Sequence, residues 1–173
     1  MVVFDSTFLT YLFVPSAPSS VERARERVEN LIHEIHSEGG RIIIPSPALS
    51  ELLIAVGHSR TLILNDLTKS AKFMIAPFDI PAAVEAALMT EAELKKGNKK
   101  GPSQSSWNKI KYDRQIIAIA KVRQAKKVYS NDGEVCALAQ ANGMKAFSVA
   151  DLKLPYERYS GPELFDPNPG NDE

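Results

Sequence analysis

Four acidic residues stand where they could act together although more than a hundred residues separate the first from the last: Asp5, Glu51, Asp113 and Asp132. Asp5 directly follows the β-branched and aromatic run Val2, Val3, Phe4, and Asp132 follows Val128, Tyr129, Ser130 and Asn131. In an open parallel sheet, ligands bind beyond the C-terminal ends of the strands, near the point where strand order reverses. Two strand-end aspartates therefore place two carboxylates at one edge of one sheet. Glu51 falls about one turn into a helix after the strand at residues 42–44, where its stripe can face either solvent or a cleft. Asp113 opens an expected helix containing the apolar run Ile116, Ile117, Ala118, Ile119 and Ala120, and helix starts favour carboxylates.

Carboxylates converging to about 5 Å repel by about 3 kcal/mol per pair at an effective dielectric near 20, so such a cluster requires a cation. An all-oxygen set without histidine or cysteine suits Mg²⁺ or Mn²⁺. Phosphodiester cleavage is a reaction such sites serve, because the metal makes hydroxide from bound water and offsets charge on the reacting phosphate.

The elements that must position these acids follow from periodicity. Residues 2–4, 42–44, 73–76, 127–130 and 145–149 read as strands. Residues 8–13, 21–37, 47–57, 59–70, 81–94, 114–124 and 134–141 read as helices, with Ser46 as an N-cap before Pro47. Strands alternating with helices imply right-handed crossovers, hence a three-layer α/β/α sandwich around a mostly parallel β-sheet. Residues 95–111, rich in glycine, serine and lysine, read as an exposed, mobile loop. One domain over residues 1–154 is expected, with residues 155–173, rich in proline, as a C-terminal surface tail.

Composition narrows the classes. Lysine plus arginine and aspartate plus glutamate balance at 21 each, so nucleic-acid binding would need a local basic surface. The single cysteine, Cys136, excludes an internal disulfide framework and a thiolate-rich zinc site. A cytoplasmic protein fits that usage: the N-terminus lacks a basic leader, and no apolar stretch is long enough to span a membrane.

The ordered set resembles the PIN-domain family, and within it the compact VapC-type ribonucleases, over roughly residues 2–152. VVFDSTFLTYLF is similar to the family's opening strand, aspartate and small polar residues; IIIPSPALSELLIAV to its second strand and glutamate helix; YDRQIIAIAKVRQAKKVYSNDGEV to its third aspartate, alanine-rich helix and closing strand. The resemblance implies that Asp5, Glu51, Asp113 and Asp132 are catalytic and bind Mg²⁺ or Mn²⁺, with Asp5 and Asp113 foremost. Thr7 and Ser130 match its small hydroxyl positions, with serine at 130 where threonine is commoner. It further implies hydrolysis of RNA to a 5′-phosphate, a homodimer, and a cognate antitoxin as partner, although some members are housekeeping nucleases.

Blander readings stand beside these. Any one acid is by itself a solvated surface charge. Lys99, Lys100, Trp107 and Lys109 could grip RNA, lysines on phosphates and the indole on a base, or simply line a solvated loop. His33 and His36 lack a third ligand and read as surface residues; Cys136 reads as core filling. Asp79 is expected to start a turn and Asp151 to follow the last strand near the cleft. A haloacid-dehalogenase-type phosphatase would need an aspartate where Thr7 stands, and no glycine-rich phosphate cradle is present. The remaining alternative is a non-catalytic PIN module that binds RNA or a protein.

Overall fold

The structure, a computed structural model, describes residues 1–14 and 17–154; the expected tail at 155–173 lies outside them. Five strands form one sheet in the order β3-β2-β1-β4-β5: β1 (Val2–Phe4), β2 (Ile42–Pro45), β3 (Phe73–Ala76), β4 (Lys127–Tyr129) and β5 (Lys145–Phe147). Every pairing is parallel, with Val3 opposite Ile43 on one side and Val128 on the other. All residues of β1 and β2 are buried, as a sheet covered on both faces requires. The α/β/α sandwich expected from the sequence is the one observed.

Among the described residues seven α-helices provide the cover: α1 (Ser6–Phe13), α2 (Ala24–Ser37), α3 (Ser46–Ala55), α4 (Arg60–Lys69), α5 (Ile80–Lys95), α6 (Trp107–Val122) and α7 (Gly133–Ala141). The chain runs outward from β1 to β2 and β3, then returns across to β4 and β5, so strand order reverses between β1 and β4. Beneath that point Phe4, Phe8, Tyr129 and Phe147 form a chain of ring contacts, with centroids 5.4 to 5.6 Å apart. This aromatic layer fixes the strand ends from which the site residues leave. The parallel ladder continues one residue past it: Asp5 N–H donates to Tyr129 O and Ser130 N–H to Phe147 O, both at 3.0 Å.

Three local expectations are corrected. Helix α6 starts at Trp107, not near 114, because Ser106 caps it by accepting from Lys109 N–H and Ile110 buries itself one turn in. Asp113 therefore lies in the second turn of the helix and not at its start. Consequently the lysine-rich connection is confined to residues 96–106, where Asn98, Lys100, Ser103 and Ser105 make internal hydrogen bonds. Ser46 does not cap α3: Pro45 holds the cap position, and the Ser46 hydroxyl accepts from Phe78 N–H at 3.1 Å, joining the ends of β2 and β3. Among the described residues, no helix is long and apolar enough to cross a membrane.

Candidate active site

Asp5 occupies the N-cap position of α1, where an aspartate ordinarily accepts a hydrogen bond from the first-turn backbone. Its carboxylate takes no such cap bond from deeper in the turn, and of that backbone only the N–H of Ser6, the first helical residue, acts on it. Oδ2 accepts from the Ser130 hydroxyl at 2.7 Å, with the Thr7 hydroxyl at 3.4 Å on the same oxygen and the Ser6 hydroxyl at 3.4 Å on Oδ1 as longer contacts. Asp5 is 3% exposed. Burial raises its pKa, hydrogen bonds from the Ser130 hydroxyl and the Ser6 backbone work against that rise, and the charges of Glu51 and Asp132 add to it.

Asp132 holds the N-cap position of α7 and uses it: Oδ1 accepts from Glu134 N–H at 2.8 Å and Val135 N–H at 3.4 Å. Its second oxygen, Oδ2, lies 2.8 Å from Lys109 Nζ. Burial disfavours the Asp132 charge, but the Lys109 hydrogen bond and the cap bonds prevail and lower its pKa. Between the two aspartates Ser130 acts as a bridge, accepting from Asp132 N–H at 3.0 Å while donating to Asp5. Thr7 makes a second bridge, its hydroxyl accepting from Asn131 N–H at 3.0 Å.

Asp113, 8% exposed on α6, points at the same region, with Oδ2 2.9 Å from Lys109 Nζ. Burial carries its pKa up to about 6, against the pull of Lys109 and with help from the charges of Asp132 and Asp5. Glu51 is exposed on α3 and joins only through its charge on Asp5. The structure thus gathers Asp5, Asp113 and Asp132 around Ser130 and Lys109 and leaves Glu51 at the margin. Asp79 and Asp151 stand apart: Asp79 caps α5 and pairs with Arg123, while Asp151 accepts from Ser148.

The basic residues separate in the same way. Lys99 sits over the Trp107 ring at 4.8 Å and Arg114 is 5.5 Å from it, so cations already occupy the indole's surroundings. Lys100 Nζ donates to Ser105 O at 2.9 Å. Among the described residues Lys109 alone pairs with the clustered acids. Glu134, which sequence reasoning did not single out, completes its surroundings with Oε2 at 3.4 Å and takes the Ser103 hydroxyl at 2.8 Å on Oε1. Its spacing two residues after a strand-end aspartate was the available signal. Beside this group a cleft of about 830 Å³, bordered by Asp113 and Glu134, runs between α6, α7 and residues 96–106 over the apolar side chains of Met89, Ile110 and Leu138.

The acidic side chains of the cluster offer oxygen donors only, and the pKa values of Asp5 and Asp113, raised mainly by burial and further by the neighbouring acids, suit a hard divalent cation. Among the described residues, however, no three His, Cys, Asp or Glu side chains are gathered tightly enough to cage an ion. Lys109 supplies the positive charge there.

A family model described as the PIN domain matches residues 2–142. No curated protein matches this chain. Among solved structures, a chain of VapBC2 from Rickettsia felis bound to a promoter DNA fragment is similar at TM-score 0.57 and 14% identity, covering 86% of this chain and 98% of that one. VapC20 of Mycobacterium tuberculosis, described as a sarcin–ricin loop cleaving toxin, is similar at TM-score 0.52 and 12% identity, over 80% of this chain and 95% of its own. DNA-bound VapBC from Salmonella typhimurium gives TM-score 0.52 at 17% identity, over 86% and 97%. At these identities the likeness is one of fold.

Proposed function

This chain belongs to the PIN-domain family, and from that premise we propose that it is a ribonuclease dependent on Mg²⁺ or Mn²⁺, acting at the cluster of Asp5, Asp113 and Asp132. The observation that carries the reading is Asp5: a buried carboxylate in a helix-cap position that forgoes the cap and is left short of positive charge at the point of strand reversal. A purely structural aspartate has no reason to be held that way.

Asp5, Asp113 and Asp132, with Glu51 at the rim, are the residues that would hold the metal. The metal, when bound, supplies Lewis acidity at the phosphate and lowers the pKa of water. The chain's own residues supply order. Ser130 and Thr7 fix the Asp5 carboxylate and tie it to the turn after β4, and Asp132 locks that turn through its cap bonds. In the overall reaction, water oxygen bonds to phosphorus, the bond from phosphorus to O3′ breaks, and O3′ takes a proton, leaving a 5′-phosphate. Lys99 and Lys100, on the connection that borders the cleft, would leave Trp107 and Ser105 to meet the RNA backbone beyond the scissile bond.

The description of VapC20 as a toxin that cleaves the sarcin–ricin loop supports structured RNA as the substrate class, and the VapBC assemblies support an antitoxin partner. An exposed stripe on α5, Ile80, Val84 and Leu88, supports a protein contact there, either that partner or a second copy in a homodimer. A cytoplasmic location belongs to the same reading. Changing Asp5→Asn should abolish Mn²⁺-stimulated RNA cleavage, a loss of about a thousandfold or more, while the circular dichroism spectrum stays as in the wild type. Full activity in that variant would sink the assignment.

One observation favours a second reading, a PIN module that binds without cutting: Lys109 already neutralises part of the cluster. Wild-type protein that binds RNA but releases no cleaved product at saturating Mn²⁺ would select it. A small antitoxin-like gene directly upstream would separate a toxin from a housekeeping nuclease.

A further inference from the structure

Three lysines on α5, its C-terminal end and α6 make ion pairs, and one of them differs from the others. Lys95 pairs with Glu91 and Lys96 with Glu93, each with a single carboxylate on its own helix or its end, and the lysine side chains remain 73% and 70% exposed. Lys109 begins the same way, one turn before Asp113 on α6, but then takes Asp132 and Glu134 from a different element. Its side chain is 37% exposed. Three carboxylate oxygens therefore surround one ammonium at 2.9, 2.8 and 3.4 Å, and the first two belong to residues assigned above to the metal. Burial opposes the Lys109 charge, yet its hydrogen bonds to Asp132 and Asp113 hold it more firmly protonated than a free lysine.

Among the described residues no other cation makes an ion pair with these acids: Lys99 and Arg114 lie by Trp107, and Lys100 is bonded to Ser105 O. An ammonium with three donors and a flexible four-carbon stem can fill a cation's place and can also leave it. We propose that Lys109 is a resident counter-ion of the metal-free protein, competing with the divalent cation for Asp113 Oδ2 and Asp132 Oδ2 and swinging out when the metal binds. The inference rests on the reading of this cluster as a metal site.

Competition of this kind has two linked consequences. The lysine stabilises the metal-free fold by relieving repulsion, and it weakens metal affinity by the free energy of the pairs that must break. Removing it reverses both. The contrary role, in which Lys109 orients Asp113 for the metal, predicts the opposite sign for affinity.

The test uses the full chain stripped of metal, with Mn²⁺ as the probe in titration calorimetry. Lys109→Met should bind Mn²⁺ about tenfold more tightly than the wild type, melt at lower temperature without metal, and gain more from added Mn²⁺. Lys109→Arg should stay near the wild type. Equal or weaker Mn²⁺ binding by Lys109→Met would overturn the competition alone, and absence of Mn²⁺ binding in both proteins would overturn the metal reading beneath it. Should Lys109→Met fail to fold, the wild type answers directly: its Lys109 ammonium resonance should lose its ion-paired shift as Mg²⁺ is added, and an unmoved resonance at saturating Mg²⁺ would overturn the proposal.

Discussion

Asp5 and Asp132 occupy matching places and live in opposite environments. Each leaves the C-terminal end of one of two adjacent parallel strands, and each sits at the N-cap of the helix that follows. Asp132 spends one oxygen on two backbone N–H groups and the other on Lys109, and its pKa falls. Asp5 receives hydroxyls and the Ser6 backbone but, among the described residues, no cation, and burial raises its pKa. Topology puts a carboxylate at a strand end; what surrounds it decides whether it anchors the turn or stays available to a ligand. Asp132 does part of each, and Asp5, in the function proposed above, is held for the second purpose.

The comparison is sharpest in stability. Asp132→Ala loses two cap bonds and leaves Lys109 with one partner fewer, which should cost about 1–2 kcal/mol and lower the metal-free Tm by about 3–6 °C. Asp5→Asn, which keeps a hydrogen-bond acceptor and removes a buried charge, should raise it by about 2–4 °C. Thermal melts of both variants in EDTA at pH 7 measure the contrast, and shifts of the same sign would break it.

Asp113 falls between the two, ion-paired like Asp132 and raised in pKa like Asp5, and pH separates these features. Its pKa is about 6 in the folded protein against 3.8 for the unperturbed group. Between those values the folded state keeps a proton that the unfolded state has lost, so stability from this group falls as pH rises through that window. Replacing it by Asn should therefore stabilise the metal-free protein at pH 7, by at most about 3 kcal/mol, and make little difference near pH 4. An equal Tm shift at both pH values would show that the charge of Asp113 is not the cause.

The smallest effect is expected from the lysines of residues 96–106, which touch none of the acids. Lys99→Ala with Lys100→Ala should weaken RNA binding by several-fold and flatten its dependence on salt by one to two phosphate contacts, about one unit of slope each. Binding measured at several salt concentrations reports this. An unchanged slope would make the connection a spacer and confine RNA contact to the cleft beside α6.

The order of elements and the positions of the acids were legible because both rest on short-range patterns. Val2-Val3-Phe4-Asp5 and Val128-Tyr129-Ser130 read as buried strands whatever lies elsewhere, and the sheet they predict is the one present. The loop ending near 111 was misread because lysine, serine and glycine dominate it, while its helix start is written in just Ser106 and Ile110, the cap and the first buried residue. Glu51 was legible as a helix residue and entered the site through the family resemblance, while its exposed place on α3 depends on how that helix packs.

By itself, then, the sequence determined that carboxylates emerge beyond strand ends at one edge of a parallel sheet, because strand, turn and helix signals span only a few residues each. Tertiary structure alone decided their chemistry. Ser130 reaches Asp5 across 125 positions and Lys109 reaches Glu134 across 25, and neither contact has a local pattern. A carboxylate's charge state follows from desolvation and from the few groups within hydrogen-bond distance. The fold supplies both, so Asp5 kept clear of cations and Lys109 set among the acids appear only once the chain has closed.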